Sequence, residues 1–233
     1  MVYLNAWRAT IEVICGAALK RLGVCLLLAI ALSDQSVMAQ TVTATLAAGT
    51  NPRAVATNPV TNKIYVANLN SNNVTVIDGA TNSITTLAVG SFPRALAINS
   101  VTNKIYVANG SSNDVTVIDG ASNALTTLAV GASPSAIAIN PVTNKIYVAN
   151  QGSNNVTVID GATSVLTTLA AGTAPNAVAI NPSTNKVYVA NANSNNVTVI
   201  DGATNALTTL AAGTNPISIA LNPVTNKIYV ANQ

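Results

Sequence analysis

The stretch NKIYVANLNSNNVTVIDGATNSITTLAV, residues 62–89, decides the fold. Three short runs rich in Val, Ile, Thr and Tyr, at 63–68, 73–78 and 83–89, are separated by LNSN and GATN. β-branched and aromatic residues suit a pleated strand, and Asn, Ser and Gly supply the turns between. Just upstream, RAVATN at 53–58 adds a fourth run, joined to the others through NPVTN. Four strands A, B, C and D follow, each about six residues long. In B, Ile64 and Val66 point to one face and Tyr65 and Ala67 to the other; in C, Val74 and Val76 oppose Thr75 and Ile77. Both faces are mainly apolar, so this sheet needs a neighbour on each side.

The same unit recurs along the chain. NKIYVAN stands at 62–68, 103–109, 144–150 and 226–232, and NKVYVAN at 185–191, each 41 residues from the last. VTVIDG returns at 74–79, 115–120, 156–161 and 197–202 in the same step, and so do Pro52, Pro93, Pro134, Pro175 and Pro216. A period near 41 suits either four-stranded propeller blades or helical pairs of the HEAT type. No segment offers a dozen residues at helical spacing, and a proline or an Asn-rich turn about every ten residues would break a helix. The fold class is therefore all-β, a β-propeller of 41-residue four-stranded blades. It has four complete blades plus partial blades at both ends: a D-like strand at Thr43–Ala48, and an A and a B strand closing at Asn232. The small A strands, such as Ala54-Val55-Ala56 and Ala95-Leu96-Ala97, suit the crowded position nearest the axis.

NKIYVAN followed by NVTVIDGATN resembles the YVTN-family β-propeller repeat, over all of residues 40–233. The resemblance implies an exported bacterial or archaeal protein, surface-layer proteins among its relatives, and rings commonly of seven blades. Seven blades of this period need 287 residues and five need 205, against the 194 from 40 to 233. The expectations left are a truncated chain, a five-bladed ring that closes imperfectly, or copies that assemble.

Residues 1–39 differ from the rest. Arg8, Lys20 and Arg21 precede the apolar run LGVCLLLAIAL at 22–32, and Val37-Met38-Ala39 has small or medium residues at the cleavage positions. This order predicts a signal peptide at 1–39, cut after Ala39, and the repeats as the domain 40–233. An uncleaved anchor is the rival, but eleven apolar residues fall short of the roughly 20 that a bilayer needs. The expected location is periplasmic, cell-surface or extracellular, with no membrane span in the mature chain. Both cysteines, Cys15 and Cys25, lie in the leader, so no disulfide supports the mature fold. Seven cations and five anions are spread evenly over 40–233, which gives no nucleic-acid footprint.

Catalytic chemistry is poorly provided for. The chain has no His, and its one Glu, Glu12, is in the leader. A Ser-His-Asp triad, His-ligated haem and a Cys/His zinc site are thereby excluded, and no cofactor is expected. Asp78, Asp119, Asp160 and Asp201 recur in the same Ile-Asp-Gly turn, where Asp caps the backbone and Gly turns it. A metal or acid/base ring is the alternative. Lys63, Lys104, Lys145, Lys186 and Lys227 open each B strand, as a solvated turn or a basic ring. With the B–C loop at 69–72, Lys63 falls opposite Asp78 and Tyr65 opposite Val76, and the later repeats follow in step. Asn73, Asn109, Asn155 and Asn196 each begin an N-glycosylation acceptor.

The repeats differ where their loops do. The A–B and C–D turns are nearly fixed. The D–A turns (GTNPR, GSFPR, GASPS, GTAPN, GTNPI) and the B–C turns vary, and both fall on the same face of an up-down blade. Loops on a rigid scaffold commonly carry binding residues, whereas duplication followed by drift would leave the same pattern. Arg53 and Arg94 occupy one position on consecutive blades, and Phe92, the only phenylalanine, shares the turn of Arg94. These three are the candidate ligand-binding residues, for an anionic or carboxylate-bearing ligand; two arginines and a phenylalanine left by chance are the alternative. The functional expectation is a non-catalytic binding or surface-structural scaffold, whose partner is a protein or a cell-surface polymer. Self-association through open edge strands is a further expectation. The rival is a lactonase-like propeller hydrolase or lyase, or a fragment of a larger seven-bladed propeller.

Overall fold

Turn chemistry cuts the chain into strands of five to seven residues. In the computed structural model, which describes residues 44–233, every turn among them delivers the chain into the next strand through one residue in the left-handed region. Asn62, Asn72 and Asn82 have φ of 53°, 53° and 61°, and their equivalents repeat these values down the chain. Asn is enriched here because its short amide tolerates this conformation better than other side chains with a Cβ.

The first blade is β1 (Pro52–Asn58), β2 (Lys63–Asn68), β3 (Asn73–Asp78) and β4 (Ile84–Ala88). The second is β5 (Pro93–Asn99), β6 (Lys104–Asn109), β7 (Asp114–Asp119) and β8 (Leu125–Ala129). The third is β9 (Pro134–Asn140), β10 (Lys145–Asn150), β11 (Asn155–Asp160) and β12 (Leu166–Ala170). The fourth is β13 (Pro175–Asn181), β14 (Lys186–Asn191), β15 (Asn196–Asp201) and β16 (Leu207–Ala211). A two-stranded sheet follows, β17 (Pro216–Asn222) with β18 (Lys227–Asn232). Each blade is an antiparallel meander in chain order. Strands β1, β5, β9, β13 and β17 lie next to one another in succession, so the small A strands are innermost, as their composition predicts.

The expected register holds: Lys63 pairs with Asp78, Ile64 with Ile77 and Tyr65 with Val76, and the same pairs recur in blades two to four. The expected D-like strand at Thr43–Ala48 does not form. Residues 44–49 carry no strand, and Thr43 lies outside the described residues. The reason is the missing partner. Among the described residues every C strand already holds its own D strand, β3 with β4, β7 with β8, β11 with β12 and β15 with β16, so none is free to hydrogen-bond this segment. The expected leader at 1–39 also lies outside the described residues.

Packing between blades follows one rule. The tyrosine face of one blade meets the Ile/Val face of the next. Tyr65, Val74 and Val76 pack on Ile105, Val107 and Ile118. Tyr106 and Val115 meet Ile146, Val148 and Ile159, and Tyr147 and Val156 meet Val187, Val189 and Ile200. At the last interface Tyr188, Val197 and Val199 take Ile228 and Val230. Consequently β18 packs through Ile228 and Val230, and its other face, with Tyr229, is exposed. Among the described residues no helix is long and apolar enough to cross a membrane.

Candidate functional site

Two amide-rich seams and one ring of bulges organise the two faces of the arc. On the A–B/C–D face, the Asn that ends the A strand of each of the four complete blades donates from Nδ2 to the Oδ1 of the left-handed Asn one blade on. Asn58 reaches Asn103 at 2.7 Å, Asn99 reaches Asn144 at 2.6 Å, and Asn140 reaches Asn185 at 2.8 Å. Its own Oδ1 accepts the N–H two residues later, as Asn140 does from Val142 at 3.0 Å. The lysines here do more than sit in solvent. Lys63 Nζ donates to Gly120 O at 3.1 Å and Lys145 Nζ to Gly202 O at 2.7 Å, so each ties its blade to the next blade's Asp-Gly turn. Among the described residues, the ion pair within 4.0 Å is Lys186 Nζ to Asp201 Oδ2, at 3.7 Å.

The Asp-Gly turns are caps. Asp78 Oδ1 accepts the Ala80 and Thr81 N–H groups, both at 2.9 Å, and the Thr81 hydroxyl at 3.0 Å. These donors hold the Asp78 carboxyl below its ordinary value of 3.8, the Thr81 N–H contributing most. Asp119, Asp160 and Asp201 are lowered for the same reason. Each aspartate sits in its own blade's turn, and no cluster of three or more metal-ligating side chains occurs among the described residues. Of the N-glycosylation acceptors, Asn73, Asn155 and Asn196 are half-buried. Thr75, Thr157 and Thr198 are buried, each accepting from the Asn that ends the B strand, and Asn109 is buried as well.

The opposite face gathers the D–A and B–C turns, joined by Leu69 N–H to Asn51 O at 2.9 Å and Gly110 N–H to Phe92 O at 2.8 Å. Each A strand carries a β-bulge directly after its proline. Pairing jumps from Pro52 to Ala54 in β1 and from Pro93 to Ala95 in β5. The skipped residue is Arg53 in blade one, Arg94 in blade two, and Ser135, Asn176 and Ile217 in the later ones. A bulged residue leaves the ladder, so its side chain is free to be re-aimed. All five line one cavity of about 490 Å³, with Leu69, Phe92 and Gln151 beside them. The structure thus brings Arg53, Phe92 and Arg94 together, as the sequence suggested, and adds Ser135, Gln151 and Asn176. The bulge escaped sequence reading, although its signal was present in the fixed proline followed by a variable residue.

Local packing positions the arginine of blade two. A Cβ at Gly110 would stand 2.7 Å from Arg94 Nε, so glycine lets the side chain lie flat across the B–C loop. Arg94 Nη1 then donates to Gln151 Oε1 at 3.4 Å. Among the described residues no carboxylate lies within 4.0 Å of either guanidinium. Phe92 has φ of 58°, a conformation that disfavours bulky side chains, and its ring is 40% exposed at the rim. The Oδ1 of Asn176 is buried and without a hydrogen-bond partner.

Comparisons with known proteins bear on this geometry. The family model described as "Lactonase, 7-bladed beta-propeller" matches residues 120–218. The hydrazine synthase of Kuenenia stuttgartiensis superposes with a TM-score of 0.68 at 24% identity, covering 82% of this chain and 58% of that one. A functionally unknown protein from Desulfotomaculum acetoxidans DSM 771 gives 0.69 at 16% identity, covering 81% and 65%. U3-55K gives 0.65 at 14%, covering 75% and 56%. The chain is a β-propeller. At these identities the likeness shows the fold alone, and the propeller spans 56% to 65% of the length of the three solved chains. No curated protein matches it.

Proposed function

We propose that this propeller, built from repeats of the YVTN kind, is an exported, non-catalytic binding scaffold whose ligand-binding site is the bulge-lined mouth. The observation that carries the reading is the convergence of five bulged side chains on one cavity, the first two of them arginines without a carboxylate partner. An unpaired guanidinium keeps most of its five donors for an anion, and its planar fork matches a carboxylate. The partner on this reading is a protein or a cell-surface polymer that presents such a group. Replacing Arg53 and Arg94 by Ser tests it, since Ser135 already fills that position in blade three. Binding of citrate, a simple polycarboxylate, is expected to weaken ~10-fold or more, the scale of a lost charge-assisted hydrogen bond. The melting temperature is expected to stay unchanged. Equal citrate binding by both proteins would remove the site.

The match at residues 120–218 favours a second reading, a lactone hydrolase. That segment holds no His, Glu or Cys to act as base or nucleophile. Measurable turnover of a sugar lactone that survives purification to constant specific activity would establish it over the first.

A further inference from the structure

The cavity is asymmetric in its chemistry as well as its charge. One side offers the two arginines and the exposed Phe92 ring. The other offers neutral groups that exchange hydrogen bonds: Ser135, Gln151 and Asn176. Ser135 Oγ donates at 2.9 Å to Pro175 O, which pins it and leaves its lone pairs free to accept. Asn176 lines the cavity beside it with a side-chain amide, a group that both donates and accepts hydrogen bonds. A ligand that satisfies all of these carries a carboxylate at one end, a flat apolar face beside it, and several hydroxyls at the other. The volume, about 490 Å³, lies within the usual range for small-molecule sites.

We infer that the mouth recognises a uronic acid unit, a pyranose bearing a carboxylate, within an acidic polysaccharide. The carboxylate lies between Arg53 and Arg94, the C–H face of the ring rests on Phe92, and ring hydroxyls exchange hydrogen bonds with the Asn176 amide and donate to Ser135 Oγ. The strain at Phe92 supports this. The equivalent residues Asn51, Ser133, Ala174 and Asn215 make the same left-handed turn without an aromatic ring, so the turn itself does not require one. Functional positions are where such strain is commonly kept. A simple anion site would need the arginines and nothing from Phe92 or Asn176.

This inference rests on the anion-binding reading of the mouth, and the test separates the two. The full chain and the variants Phe92→Asn and Asn176→Ala would be titrated calorimetrically with trigalacturonate, with the neutral trisaccharide maltotriose, with citrate and with a short acidic peptide. Expected is binding of trigalacturonate that exceeds all three others. Phe92→Asn and Asn176→Ala each weaken it several-fold and leave citrate unaffected. Citrate binding without preference for the uronate overturns this inference and leaves the anion site standing. No binding of either overturns both. Maltotriose or the acidic peptide binding as tightly as trigalacturonate also overturns it, and so does a Phe92→Asn variant that binds the uronate undiminished. Asn at position 92 copies blade one, so the variant is expected to fold, and its circular dichroism melt checks that.

Discussion

At the residue scale, one conformation recurs under changing side chains, which allows strain to be assigned. The last residue of the D–A turn is left-handed in every repeat, whether it is Asn51, Phe92, Ser133, Ala174 or Asn215. A residue with a Cβ pays roughly 1–2 kcal/mol for that region, and Asn less than most. Phe92→Asn is therefore expected to stabilise the protein by about 1 kcal/mol, seen as a raised melting temperature. A lowered one would mean that the ring packs for stability. The aspartate caps give a second test. Their carboxyls are held below the ordinary 3.8, first by the backbone N–H three residues on. Their contribution is fully present above the unfolded value. It disappears as pH falls below 3.8 towards the depressed folded values. The melting temperature should fall through that acid window, and replacing all four aspartates by Asn should flatten the fall. An unchanged slope would place the acid sensitivity elsewhere. At the alkaline end, burial pushes the Tyr65, Tyr106 and Tyr147 hydroxyls above 10.0, so stability is lost as rising pH ionises them.

At the scale of the element, the hydrogen bonds that matter most cross between blades. Asn140 is buried; it donates to Asn185 of the next blade and accepts from Val142 and Thr143 within its own turn. Asn140→Ala removes all three bonds and leaves buried polar groups unpaired, at an expected cost of about 2–3 kcal/mol. The equivalent Asn222→Ala should cost less, because Asn222 makes only the local bonds to Val224 and Thr225. Lys145→Ala should cost under ~1 kcal/mol, since its bond to Gly202 O is partly solvated. Denaturant melts of the three variants rank them, and an Asn222 effect as large as that of Asn140 would refute the cross-blade account. These seams also mark how far the sequence could be read. Strand limits and register were legible because β-branched runs and left-handed Asn positions are local signals. Thus Lys63 opposite Asp78 followed from turn length alone. The use of that lysine was not legible: its ammonium reaches Gly120, 57 residues on, a contact set by blade stacking. The same holds for the mouth. Variable loops pointed to Arg53, Phe92 and Arg94, but only the bulge in three dimensions turned Ser135 and Asn176 towards them.

At the scale of the whole molecule, identical interfaces repeat, so an uncovered blade face matches a face that is covered elsewhere in the same chain. Val55 in blade one is 67% exposed, whereas its counterparts Leu96 and Ile137 are partly buried against a preceding blade. Tyr229 in β18 is 56% exposed, whereas Tyr65, Tyr106 and Tyr147 are buried against a following one. One surface is the complement of the other, and two copies meeting head to tail would rebuild the contact that Tyr106 makes with Ile146 and Val148. The outer edge of β18 adds unpaired backbone groups, a template for another strand. Repulsion is weak, with seven cations and five anions over residues 40–233. The polypeptide from Gln40 to Gln233 is therefore expected to self-associate at concentrations on the order of tens of micromolar. Light scattering should show a mass that climbs with concentration. Tyr229→Lys puts a charge on the exposed face of the edge strand and should return the mass towards that of one chain, with the circular dichroism unchanged. A monodisperse monomer at those concentrations would mean that the two faces are satisfied within one copy, as in a closed five-bladed ring. Association that survives Tyr229→Lys unchanged would instead locate the contact away from β18.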